Sequence, residues 1–203
     1  MKRTGLFIGL GILLIVVFMG CSGCRGYNGL VKQDENVKKA WNNVEAEYQN
    51  RSDLVGNLVN TVKGAANFEQ NTLVQLVEAR AKATSVNFTA DQLTPENIAK
   101  FQAAQSQMSG ALSRLLAVVE NYPDLKASQN FLQLQSQLEG IENNIKNSRK
   151  VFNDAVNVYN TQVRSFPMNI FAGMFGFHAK EGFKADAGAE KKVDVNFDDM
   201  NKK

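Results

Sequence analysis

From Val37 onward, apolar residues recur three and four positions apart: Val37, Trp41, Val44 and Tyr48, then Val55, Leu58, Val62 and Ala65, with Arg51 as the polar interruption. Side chains so spaced share one face of an α-helix, so the stripe predicts a helix with one buried side. The pattern slips phase near Glu69 and resumes through Leu73, Leu76 and Val77. One very long helix, or two meeting near Gly56 or Gly64, accounts for Asn28 to Ala83. Glycine inside a helix costs about 1 kcal/mol relative to alanine, which makes both sites candidate bends.

The stretch "VNFTADQLTPEN" breaks the period and restarts it: Thr94 reads as an N-cap, Pro95 as the first helical residue, and Glu96 as a carboxylate beside the positive helix end. A second stripe follows through Ile98, Phe101, Met108, Leu112, Leu115, Val119 and Tyr122, with Gln105 at its polar position. Pro123 ends it, since the residue before a proline avoids the helical region and proline itself can open a new helix. From Leu125 to about Val163 the heptad is clearest, with Phe131, Leu138, Ile145, Phe152 and Tyr159 at one position and Leu134, Ile141, Ser148 and Ala155 at the other. No β-type alternation interrupts the body. The expected fold is all-α, an antiparallel bundle of three to four long helices with an N-terminal membrane anchor. A parallel coiled-coil oligomer would use the same stripes, but the turn signals at Thr94 and Pro123 favour folding back.

Ahead of the bundle every residue from Gly5 to Gly20 is apolar or glycine, and no charge falls between Thr4 and Cys24. As a helix that uncharged stretch is roughly 31 Å long, close to the hydrocarbon thickness of a bilayer. Its apolar core, Leu6 to Met19, also has the size of a signal-peptide hydrophobic region. Phe18-Met19-Gly20 before Cys21 resembles a bacterial lipobox, with Phe18 where leucine is usual, so Cys21 is a candidate lipidation site. A spanning helix and a lipid anchor are both open at this point. A redox pair of Cys21 and Cys24 lacks the strand and helix context that such motifs need. Lys2 and Arg3 favour a cytoplasmic N-terminus and a body on the other side of the membrane, while Arg25, Lys32, Lys38 and Lys39 on the other flank weaken that preference.

The domain organisation expected is therefore an anchor or lipoprotein-signal segment at 1–26, a helical bundle with an aromatic C-terminal segment at 27–183, and a charged flexible tail at 184–203. The phenylalanine-rich stretch "SFPMNIFAGMFGFHAKEGF" either folds over one end of the bundle or presents Phe171, Phe175 and Phe177 as a patch for a membrane surface or protein partner.

Charge and chemistry narrow the function only by exclusion. Of the 23 Lys and Arg, Lys2 and Arg3 belong to the leader, and the rest nearly balance the 20 Asp and Glu, so no basic face for nucleic acid is expected. His178 is the single histidine and has no second ligand at helical spacing. The carboxylate pairs Glu45 with Glu47, Glu69 with Glu78, and Glu139 with Glu142 lack the Glu-x-x-His partner of a di-iron bundle and read as solvated faces. No phosphate-loop, nucleophile-elbow or zinc-helix motif occurs. No cofactor and no enzymatic activity are expected. The rival is a metal- or carboxylate-dependent enzyme using the bundle interior. Arg51 and Asp53, with Glu120, Asp124 and Arg149, are polar groups on strongly periodic helices, and buried polar groups need partners. The expectation is an inter-helix network joining Arg51 or Arg149 to Glu120 or Asp124.

These blocks together resemble the LemA family of bacterial membrane proteins over nearly the whole chain. The resemblance rests on "YNGLV" at 27–31, "AWNNVEAEYQNRSDLVGNLVNTVKGAANFE" at 40–69, "LLAVVENYPDLKASQNFLQLQSQLEGIENNI" at 115–145 and "FPMNIFAGMFGF" at 166–177. It implies a single N-terminal membrane segment, a long-helix bundle, and no established enzymatic role. Gly56 replaces a proline usual in the family, Phe152 replaces a common tyrosine, and the two cysteines are not a family hallmark. The function expected is that of a membrane-anchored interaction or scaffolding protein of the bacterial cell envelope, with an unidentified protein partner.

Overall fold

The computed structural model describes residues 2–65 and 68–184, and among the side chains before Arg25 only those of Gly11 and Leu13. Among the described residues six α-helices follow one another: α1 (Lys2–Lys63), α2 (Gln70–Ser85), α3 (Pro95–Val119), α4 (Pro123–Lys126), α5 (Gln129–Arg164) and α6 (Met168–Ala172). The described residues contain no strand. Among them no helix is long and apolar enough to cross a membrane. The expected anchor, Cys21 and the tail beyond Lys184 lie outside the residues described in full.

Of the two candidate bends, the chain breaks at Gly64. The last amides of the turn there, Gly64 and Ala65, bond back three residues to Thr61 and Val62, which tightens and ends α1. Gly56 stays helical, with the Arg80 guanidinium packed across it and Arg80 Nε donating to the Ser52 carbonyl at 2.7 Å. Thr94 caps α3 by accepting from the Asn97 amide at 3.2 Å, with Pro95 at the first helical position. Pro123 opens the short α4, and Ser128 caps α5 by accepting from the Phe131 amide at 3.3 Å.

The long pair is α1 and α5, antiparallel neighbours whose contact runs from Gly29 beside Gln162 to Arg51 beside Glu142 and beyond. The α2–α3 pair covers the half of α1 nearer Lys63, with Gln75 meeting Arg114 and Ala83 meeting Gln105. All five residues of the first heptad position in α5 are buried, while Leu134, Ile141 and Ala155 at the second are only partly so.

Two apolar clusters make up the core. One, nearer the leader, gathers Leu30 to Tyr48 of α1, Ile98 and Phe101 of α3, and Ile145 to Val163 of α5 with Phe183. Trp41 is its hub, with ring centroids 5.3 Å from Phe101, 5.4 Å from Phe152 and 6.0 Å from Phe183. Its indole N–H donates to the Phe88 carbonyl at 2.9 Å and so ties down the connection between α2 and α3. The other cluster, farther from the leader, gathers Leu54 to Val62, Leu73, Leu76, Leu112 to Val119, Leu125, Phe131 and Leu138.

Candidate functional site

A polar layer lies between the two clusters, at the same level in α1, α3 and α5. Arg51 is only 3% exposed, and its Nη1 donates to Glu142 Oε1 and to Ser109 Oγ, each at 2.9 Å. Its Nη2 donates to Gln105 Oε1 at 2.7 Å, and the guanidinium lies over the Tyr48 ring at 4.9 Å. Gln105 passes the network to α2 through the Ala83 carbonyl. The Nε–H of Arg51 and the Ser52 hydroxyl find no partner among the described residues. Such a layer tolerates one helix register, because a slip of one turn would set a guanidinium against hydrocarbon.

The partners differ from those expected. Glu120 pairs with Lys126 on the surface, and Asp124 is exposed in the first turn of α4. Arg149 reaches neither of them: it lies over the Phe183 ring at 4.7 Å and donates to the Lys184 carbonyl at 3.3 Å. Glu142, expected to be a solvated carboxylate, is the ion-pair partner of Arg51 because the α1–α5 register places it opposite.

A second constellation holds the end of the phenylalanine-rich stretch in a way that the sequence pattern, which points only to that stretch folding over one end of the bundle or lying exposed, does not anticipate. After Phe177 the chain runs without helix or turn back along α5 to Lys184, a strap that sets Phe183 against Trp41, Phe101 and Phe152. Two asparagines of α5 grip its backbone. Asn160 accepts from the Lys180 amide and donates to the Lys180 carbonyl, both at 2.8 Å. Asn153 does the same for Phe183, at 2.8 and 3.0 Å. Tyr159 donates to the His178 carbonyl at 2.9 Å.

Lys180 then turns inward to Asp34 at 2.9 Å, with side-chain exposures of 13% and 16%. Lys38 meets the other Asp34 oxygen at 3.2 Å and Asp91 at 3.4 Å. Burial alone would raise the Asp34 carboxyl, but the hydrogen bonds and charges of Lys180 and then Lys38 outweigh it and hold Asp34 below the usual carboxylate range. Burial, helped by the Asp34 charge, pushes the Tyr159 phenol up to about 12. Burial likewise raises Glu45.

The third feature is the apex formed by α6 and the turn after it. Met168 and Ala172 are buried, and Phe171 and Phe177 pack against the leader-side core. Tyr27 of α1 meets Phe175 and Phe177 edge-on at 5.1 and 5.7 Å. Gly176, at φ +78°, supplies the left-handed turn that sends the chain into the strap. Of the three phenylalanines singled out in the sequence, Phe171 and Phe177 are thus mainly packing residues, while Phe175 is half exposed. The most open apolar side chains of the apex are others: Phe166, Ile170 and Met174.

The sequence model described as the LemA family matches residues 40–197, more than three quarters of the chain. The chain belongs to the LemA family. Among curated relatives it is similar to the magnetosome protein MamQ 2 of Paramagnetospirillum magneticum, 27% identical over 192 residues, covering 86% of this chain and 70% of that one. MamQ of Magnetospirillum gryphiswaldense is 26% identical over 88% of this chain and 71% of its own length. Protein LemA of Metamycoplasma hominis is 23% identical, covering 83% and 74%. Among the described residues no group of three or more His, Cys, Asp or Glu could hold a metal ion. Two surface depressions border α2, one shared with α3 and one with the end of α1. One of about 640 Å³ is lined by Gln75, Glu78, Lys82, Gly110 and Arg114, and one of about 500 Å³ by Phe68, Leu73, Val74 and Val77.

Proposed function

We propose that this LemA-family chain is a membrane-anchored interaction or scaffolding module of the bacterial cell envelope, with its body on the non-cytoplasmic side. The supporting observation is α1, a single helix from Lys2 to Lys63 that joins the apolar run directly to the bundle core without a hinge. Such a helix holds its body at a set height and orientation. The names of the MamQ relatives place them at the magnetosome, which is compatible with a structural role at a cell compartment. The protein partner docks on the α2 face farthest from the leader, where Val74 and Val77 are exposed beside the Phe68 and Leu73 depression.

The test is photocrosslinking in intact cells from Val74, with Leu132 as a control position, together with mass spectrometry of the mature N-terminus. A discrete crosslinked species from Val74 alone supports the reading. Equal labelling from both positions, or recovery of the chain from the soluble fraction, overturns it. A chain beginning at Met1 assigns a spanning helix, and one beginning at acylated Cys21 assigns a lipoprotein.

A further inference from the structure

We propose that the apex of the bundle is a second membrane contact, with Phe166, Ile170, Met174 and Phe175 dipping into the headgroup region of an anionic bilayer beside α1. The inference rests on the membrane-anchored reading and adds to it a surface that the anchor alone does not require. These four side chains are 81%, 57%, 78% and 48% exposed, although in the same short segment Met168 and Ala172 are buried and Phe171 and Phe177 partly so. Folding has therefore divided the segment into an inward half, Met168, Phe171, Ala172 and Phe177, and an outward half that, among the described residues, is open except where the Phe175 ring meets Tyr27.

The position of that outward half favours a lipid surface over a protein. Met168 packs on Gly26 and Phe175 on Tyr27, so the apex is fixed to the part of α1 that follows the apolar run. Gly20 to Gly26 is about 9 Å of helix, which brings the apex within reach of the interface whether the anchor is a spanning helix or an acyl group on Cys21. An amphipathic surface segment buries its apolar face about 5–10 Å into the boundary between headgroups and acyl chains, the layer that exposed phenylalanine, isoleucine and methionine side chains would enter.

Charge points the same way. Residues 1–33 and 155–180, which build this end of the molecule, contain no Asp or Glu, and they carry Arg25, Lys32 and Arg164 exposed around the apex. Of the acids that border these stretches, Asp34 is paired with Lys180 and Lys38. A basic rim about an apolar tip is what anionic headgroups over hydrocarbon would select.

The experiment uses the full chain in vesicles of phosphatidylcholine and phosphatidylglycerol whose acyl chains are brominated, a quencher of indole fluorescence. Trp41, buried in the core, sets the baseline in the parent chain. Chains carrying Phe166→Trp or Met174→Trp are compared with Leu132→Trp, an exposed position about 48 Å along α5 from Arg164. All three should float with the vesicles. The expected result is a blue shift and at least two-fold quenching of the Phe166→Trp and Met174→Trp indoles, with none for Leu132→Trp. Flotation with apex indoles no more quenched than that of Leu132→Trp overturns the inference and leaves the anchor intact, as would be seen if a protein covered the apex instead. Failure to float overturns the anchored reading and this inference with it. Equal quenching in vesicles of phosphatidylcholine alone overturns the requirement for anionic lipid.

Discussion

Asp34 links two parts of the chain that are far apart in sequence, and its charge state governs the strap. Its folded pKa lies below the unfolded value of about 3.9, so the stability it supplies is complete above that value and is lost as pH falls through the folded pKa. Asp34→Asn is expected to lower stability at neutral pH and to flatten its decline below about pH 4, measured by urea unfolding across a pH series. Tyr159 acts at the other limb: its pKa is raised to about 12, so its contribution is whole below the ordinary tyrosine value near 10 and fades as pH climbs toward 12. At Arg51 the chemistry is different, because the charge is sealed between two apolar clusters. Arg51→Ala leaves Gln105 and Ser109 without a donor and facing a void and should cost about 3–5 kcal/mol, whereas Arg51→Met, which fills the space but still leaves Gln105 Oε1 without its donor, should cost about 1–3 kcal/mol, both read from denaturant midpoints. Arg51 was conspicuous in the sequence as a charge on an apolar stripe. Its partner was not, since choosing Glu142 over Glu120 requires the register between two helices in which the paired residues are 91 positions apart.

The strap matches α5 by a coincidence of rises. Asn153 and Asn160 are one heptad apart, about 10.5 Å along a helix, and the residues they hold, Phe183 and Lys180, are three apart, about 10 Å in extended chain. Each asparagine offers one donor and one acceptor to a backbone that no strand pairs. Asn153→Ala or Asn160→Ala should each cost about 1–3 kcal/mol and remove hydrogen-exchange protection at the gripped amide, Phe183 or Lys180, while the amides of α3 keep theirs. Gly182→Ala should loosen the same clamp, because its methyl would stand 2.7 Å from Asn153 Oδ1. The helices themselves were legible from local signals: the Phe131 to Tyr159 heptad, the Thr94-Pro95 start and the Pro123 stop all depend on residues within a turn or two of one another. The strap has no such period. Its asparagines look like any polar residue of a helix face, and only the folded register shows that they face a backbone.

At the scale of the whole molecule, α1 and α5 run through both halves of the core and the polar layer between them, while the leader-side half is finished by the strap and the far half by α2 and α3. A helix unbroken from Gly20 to Lys63 is roughly 65 Å long, so an anchored chain standing upright should form a protein layer of about that thickness outside the bilayer. Neutron reflectometry on a supported bilayer carrying the full chain measures this directly. Insertion of eight glycine and serine residues after Cys24 leaves every described contact of the bundle in place but interrupts the helix. The expected outcome is a layer that becomes thinner and more diffuse, with the helical circular dichroism of the bundle retained. If the layer keeps the same thickness with the insertion, the height is set by contacts at the apex rather than by α1, and Phe166 and Met174 become the residues to alter next.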